Sequence, residues 1–124
     1  MNIEDVHGAR VLLLDADGPV IATPADTSDL IGNAWFDHVD VVALPLERLS
    51  PAFFDLRSGL AGEIAQKAVN YHVTLAVLGD VTGFEAASDA VHAFVVESNR
   101  GEHVWFHPDV EALNRRLESR VQPS

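Results

Sequence analysis

Three short, near-continuous apolar runs constrain this chain more than any other feature. They are RVLLLD (Arg10–Asp15), VDVVALPL (Val39–Leu46) and VTLAVL (Val73–Leu78). A strand with one face in water alternates apolar and polar residues. A strand covered on both faces does not, and this second pattern belongs to the centre of a parallel sheet. Parallel neighbours need crossover connections, and the intervening segments carry helical spacing. Phe53, Leu56, Leu60, Ile64 and Ala68 recur at intervals of three and four.

Turn and cap residues divide the rest. Ala16-Asp17-Gly18-Pro19 is turn chemistry, so Arg10–Asp15 and Val20–Ala22 are predicted to form a hairpin. Thr27-Ser28-Asp29 offers cap oxygens ahead of a short helix through LIGNAWF. Ser50-Pro51 is a helix entry, because proline at the first helical position loses no needed hydrogen bond. A short helical turn is expected there, with the main helix starting near Ser58 and running to Tyr71. Ser88 caps a further helix that leaves through Asn99-Arg100-Gly101 in a left-handed exit. His103–Phe106 reads as a more alternating strand. Pro108-Asp109 opens a last helix with Val110, Leu113 and Leu117 facing inward. The predicted fold is a single α/β domain over 1–124. It has a mixed sheet of four to five strands with a parallel centre, an N-terminal hairpin and about four helices. Residues 1–8 and 121–124 are expected to be frayed ends.

Composition limits the partners. Nineteen acidic residues against eight basic ones give a net charge of -11. That charge repels a phosphate backbone, so no nucleic acid is expected. Arg115, Arg116 and Arg120 read as a solvated face at a helix C-terminus. There is no cysteine, hence no disulfide framework and no thiolate chemistry. The first residues carry no apolar signal core. No apolar run reaches the ~18 residues that span a bilayer. A soluble cytoplasmic protein without a membrane partner is expected.

Several catalytic patterns start and do not finish. LLLDADG (Leu12–Gly18) resembles the first motif of haloacid-dehalogenase-type phosphatases, with Gly79-Asp80 echoing their metal motif. The second acid that should follow Asp80 is Phe84, and Lys67 sits mid-helix, so a turn explains Asp15 and Asp17 better. His103 and His107 lie on a strand, which sets residues four apart at about 13 Å, so no metal site is expected. Ser58 lacks a nucleophile elbow and reads as a helix cap. Gly59 and Gly62 do not make a phosphate fingerprint.

Polar residues nevertheless gather around the ends of the middle helices. Asp55, Arg57 and Glu63 have the spacing of a local ion-pair network. Arg57 beside a helix start suits a carboxylate or a phosphate. Phe53 and Phe54 are not both expected to point inward from one narrow turn, which leaves one to line a pocket or an interface.

DLIGNAWF, SPAFFDLRSGLAGEIAQKAVNY, LAVLGD and FVVESNRGEHVWF resemble, in order, the bacterial family known as domain of unknown function 4180. The resemblance runs from about Asp26 to about Leu117 and implies no established activity. A strand, then Asp-x-x-Ser-Gly-Leu, a long helix and two further strands is also similar to the STAS module. That module binds protein partners, nucleotides or small molecules, often through a regulatory serine. Arg57 stands at the position of that serine and Ser58 matches the following one, so the resemblance does not carry a phosphoserine switch to this chain.

The expected function is a binding or regulatory module that forms a homodimer and recognises a regulatory protein or a small anionic molecule. Its candidate residues are Asn33, Trp35, Phe53, Phe54, Asp55, Arg57, Ser58, Asn70, Tyr71, Glu97 and Asn99. The alternative is a cofactor-independent enzyme acting on a small molecule, such as one of specialised metabolism. Asp55 or Glu63 would then be the acid or base, Arg57 would hold a substrate anion, and Tyr71 or Asn70 would orient the substrate. Neither reading calls for a cofactor or a metal.

Overall fold

The computed structural model describes residues 2–121. In chain order these form β1 (Asn2–Val6), β2 (Ala9–Leu13), α1 (Pro24–Phe36), β3 (Val41–Pro45), α2 (Leu60–Tyr71), β4 (Thr74–Leu78), α3 (Thr82–Ala87), α4 (Asp89–Arg100), β5 (Val104–His107) and α5 (Val110–Val121). One five-stranded sheet has the order β1-β2-β3-β4-β5. β1 pairs antiparallel with β2, and the remaining neighbours are parallel. The mixed sheet, its parallel centre and its N-terminal hairpin match the expectation. The described residues hold one helix more than the four foreseen, the six-residue α3.

Strands in sequential order send every crossover the same way, and right-handed crossovers then stack their helices on one face. Ile31 and Ala34 of α1, Leu60 and Ile64 of α2, and Val91 and Val95 of α4 bury with Leu12, Val42, Leu44, Leu75 and Val77. The opposite face, with Val11, Val41, Ala43, Ala76 and Trp105, packs against Leu113 and Leu117. Among the described residues α5 is the helix of that face, and it touches both edge strands, β5 and β1.

The hairpin is built one strand earlier than the sequence suggests. His7 and Gly8 both have positive φ, 50° and 87°, the geometry of a two-residue turn whose twist suits antiparallel strands. Asn2–Val6 is therefore an ordered edge strand, not a frayed end, and its polar residues suit an edge. Val121 closes α5, and residues 122–124 lie outside the described residues. Val20–Ala22 is not a return strand: Ile21 alone makes an isolated parallel bridge, to Leu49. The loop between belongs to Arg48. Its Nε donates to Pro19 O at 3.0 Å and its Nη1 to Asp15 O at 3.2 Å. A Cβ on Gly18 would lie 2.7 Å from the guanidinium carbon. Asp15, Asp17 and Gly18 thus form a loop strapped by an arginine.

Other boundaries shift for local reasons. α1 starts at Pro24 because Thr23 and Asp26 make a reciprocal capping box. Thr27 lies inside the helix, buried, with its hydroxyl donating to Thr23 O at 3.2 Å. Val104, Trp105 and Phe106 are all buried, so β5 does not alternate; α4 covers one of its faces and α5 the other. α4 ends without a left-handed residue, since Gly101 has φ -91°. Instead Gly101 O accepts from Trp105 Nε1 at 2.8 Å and Arg116 Nη2 at 3.1 Å. Arg116 also stacks 4.1 Å over the Trp105 ring. It is a cation–π partner of a buried indole, not a member of a solvated basic face. Val110, expected inward, is 39% exposed.

Candidate functional site

The segment Ser50–Gly59 is two short 3-10 turns that lead into α2. Ser50 caps the first by accepting from Ala52 N at 3.2 Å, and Asp55 caps the second by accepting from Arg57 N, also at 3.2 Å. Ser58 ties the two together. Its hydroxyl donates to Ala52 O at 2.6 Å and accepts from Leu60 N at 3.2 Å. Gly59, at φ 81°, then turns the chain into the helix. The N-cap of α2 itself is Gly59, so Ser58, expected as a cap, instead braces the turn one residue before it.

Phe53 and Phe54 correct the expectation that one of them lines a pocket or an interface. Both are buried, at 0% and 8% exposure. Two tight turns place consecutive side chains on both flanks of one aromatic core. Phe53 lies edge-on to Phe54 at 5.0 Å and to Phe94 at 5.9 Å. Phe54 stacks on Phe84 at 4.0 Å. The stretch richest in apparent chemistry is a core-filling corner. Asp55 and Arg57 are exposed on its outside.

The three carboxylate-and-tyrosine candidates do not share a cavity. Glu63 lines a recess of about 240 Å³ with Ser58 and Gly59. Tyr71 lies at the far end of α2, and Asp55 serves as a cap. The expected network of Asp55, Arg57 and Glu63 is not formed: no ion pair joins any two of these three residues. Glu97 is thus held at the surface by Arg100 at 3.3 Å. Asn33 lines a separate small recess beside Leu30 and Asp37. Asn70 accepts from Gln66 Nε2 at 2.9 Å on the outside of α2.

Trp35 and Tyr71 do come together. The C-terminal ends of α1 and α2 sit side by side, with the two rings 5.8 Å apart. Phe36, next in α1, is 76% exposed, and Trp35 is 55% exposed. Aromatic area of this size in water is characteristic of recognition surfaces. With His38, Asp40 and His72 these rings border a shallow recess of about 670 Å³. His38 and His72 leave their helices with φ 59° and 55°, a conformation that non-glycine residues adopt at a cost. Phe36, His38 and His72 escape a sequence reading because nothing in their spacing reveals that two helices end together. The cue that was present is two aromatics at a helix terminus, where an inward stripe would have ended.

The two neighbouring histidines extend a wider pattern. His7, His38, His72 and His103 lie one to three residues before the starts of β2, β3, β4 and β5. They form a row along the N-terminal edge of the parallel strands. Among the described residues no three histidines or carboxylates are arranged to hold a metal ion.

The opposite edge carries Asp80, Asn99 and His107. Asp80 accepts from the Thr82 hydroxyl at 2.6 Å and its N–H at 2.9 Å. These bonds favour the ionised form and lower its carboxyl pKa. Asn99 Oδ1 accepts from Phe106 N at 2.7 Å. His107 sits below the usual imidazole range, first because it is buried and then because Arg116 is near, against an opposing pull from Asp109. Its Nε2 is buried without a hydrogen-bond partner. The fold therefore holds His107 neutral, whereas the unfolded chain takes up a proton below about pH 6.5. Stability is complete above that pH and falls as the pH drops toward the lower folded value. Urea midpoints at pH 7.5 and 5.5 are expected to differ less in His107→Gln than in the parent chain; an equal difference in both would assign the effect elsewhere.

These features define a small α/β protein with a sequentially ordered mixed sheet, a buried phenylalanine corner and an exposed aromatic helix end. The family model described as a domain of unknown function, DUF4180, matches residues 6–117, and the chain belongs to that family. No curated protein and no solved structure matches it. Among the described residues no helix is long and apolar enough to cross a membrane.

Proposed function

We propose that the chain is a binding module that pairs with a second copy of itself through the Trp35–Phe36–Tyr71 surface. The carrying observation is the exposure of Trp35 and Phe36 where α1 and α2 end together. Covered aromatic side chains bury ~150–250 Å² each. At the exposures given, these two leave on the order of 250–300 Å² open per copy, about a third of the ~800 Å² that each partner gives a standard interface. That is a fitting size for an apolar centre ringed by polar groups.

Charge favours the same occupant. A net charge of -11 makes two copies repel wherever their acidic faces meet. Around the aromatic recess the lining includes one carboxylate, Asp40, and two histidines, His38 and His72. A two-fold contact sets a patch against itself, and this patch offers two histidines per carboxylate, so it carries less like-charge repulsion than the acidic faces elsewhere.

Analytical ultracentrifugation of the full chain tests this reading. A concentration-dependent dimer is expected, and Phe36→Glu is expected to weaken it by at least about tenfold, since it places a like-charged pair in an apolar contact. A parent chain that stays monomeric at high micromolar concentration would rule the proposal out. So would an unchanged dimer in Phe36→Glu.

A further inference from the structure

We propose a second, independent site: the cleft between β4, α3 and α4 binds a small amine with an apolar body, its ammonium group on Asp80. The C-terminal ends of β4 and β5 open into a cavity of about 400 Å³. That volume lies within the range of small-molecule sites.

The cavity has an apolar floor and a polar mouth. Val81, Val95 and Phe106 are buried residues that line it, at 8%, 5% and 6% exposure. Asp80, Thr82, Glu85, Asn99 and His107 supply the polar groups. No lysine or arginine is among its lining residues and burial favours the neutral form of His107, so no fixed positive charge in the lining compensates a bound anion. Two carboxylates favour a cation instead. They are not equivalent. Glu85 is occupied, its Oε2 lying 2.8 Å from His92 Nδ1. Asp80 is oriented by Thr82 on one oxygen, Oδ1, and its residue is exposed at the mouth. The Thr82 bonds keep it ionised. Asn99 is fixed through Oδ1 by Phe106 N–H, which leaves its NH2 group as a donor for an acceptor atom on the ligand. Anchored acceptor, anchored donor and apolar floor together describe an amphipathic amine rather than a phosphate or a carboxylic acid.

The test is a titration of the full chain, followed by amide nuclear magnetic resonance at pH 7, with phenethylamine, 2-phenylethanol and phenylacetate. The three probes share a ring and differ in charge. Phenethylamine is expected to shift the amides of Gly79, Asp80, Thr82 and Asn99 and to bind more tightly than the alcohol, with phenylacetate weakest. A charge-assisted hydrogen bond implies that Asp80→Asn weakens phenethylamine by about tenfold or more. Val96→Trp fills the cleft with Asp80 intact, and is expected to abolish the shifts; it decides the matter if Asp80→Asn is poorly folded. Equal binding of amine and carboxylate, shifts mapped to another surface, unchanged binding in both variants, or no binding by any probe would each overturn the assignment.

Discussion

Phe53→Ala is expected to cost about 3–5 kcal/mol of folding free energy, the range for removing a fully buried phenylalanine. The side chain is 0% exposed and meets Phe54, Phe94 and Phe106 at ring distances of 5.0, 5.9 and 6.0 Å. These partners come from the 3-10 corner, α4 and β5. No single neighbour can move in to fill the void, so the cavity term stays large. Marginal stability of ~5–15 kcal/mol for a domain means the variant keeps little reserve. Urea unfolding measures the loss directly. A cost below about 1 kcal/mol would show that the site collapses around the cavity and that the corner is not the anchor described here.

Gly79→Ala is expected to be nearly as damaging, at about 2–3 kcal/mol, through overpacking and backbone strain rather than a void. Gly79 follows β4 with φ 154°, and its ideal Cβ would lie 2.6 Å from the Leu46 Cβ. Leu46 follows β3, so the clash is between the ends of two adjacent central strands, where neither can retreat. The Gly79 N–H also donates to His107 O at 3.0 Å, which fixes the residue from the other side. Thermal unfolding of Gly79→Ala beside Gly83→Ala makes the comparison internal, because an added Cβ on Gly83 meets nothing within 4 Å. Equal losses in the two variants would disprove the steric account.

The sheet was legible where burial leaves a direct mark on composition. Val41–Pro45 and, after Thr74, Leu75–Leu78 are apolar because helices cover both faces, and the sequence displays that without ambiguity. The hairpin was not, because an edge strand such as Asn2–Val6 is polar and its turn, His7-Gly8, is less conspicuous than Ala16–Pro19. The louder turn signal turned out to be a loop held by Arg48, thirty residues away in the chain by order of magnitude. Site residues were harder still. One of Phe53 and Phe54 was expected at a pocket or an interface because a narrow turn should not point both inward, yet the 3-10 turn Pro51–Phe54 buries both. Trp35 and Tyr71 were each singled out, but their meeting depends on where two helices stop. Asp80 was read as part of an unfinished phosphatase motif, and the cavity that it lines is one that no local pattern records.

The sequential order of the strands governs how the molecule is made. Each new strand emerging from the ribosome docks beside the one synthesised just before it, so the sheet grows by adding neighbours in chain order. α5 breaks this rule. It follows β5 in the chain and reaches back to β1. Until it is in place, Val11, Val41, Ala43, Ala76 and Trp105 form an uncovered apolar face. Exposed apolar surface of that kind invites aggregation during folding, and α5 is the clasp that closes it.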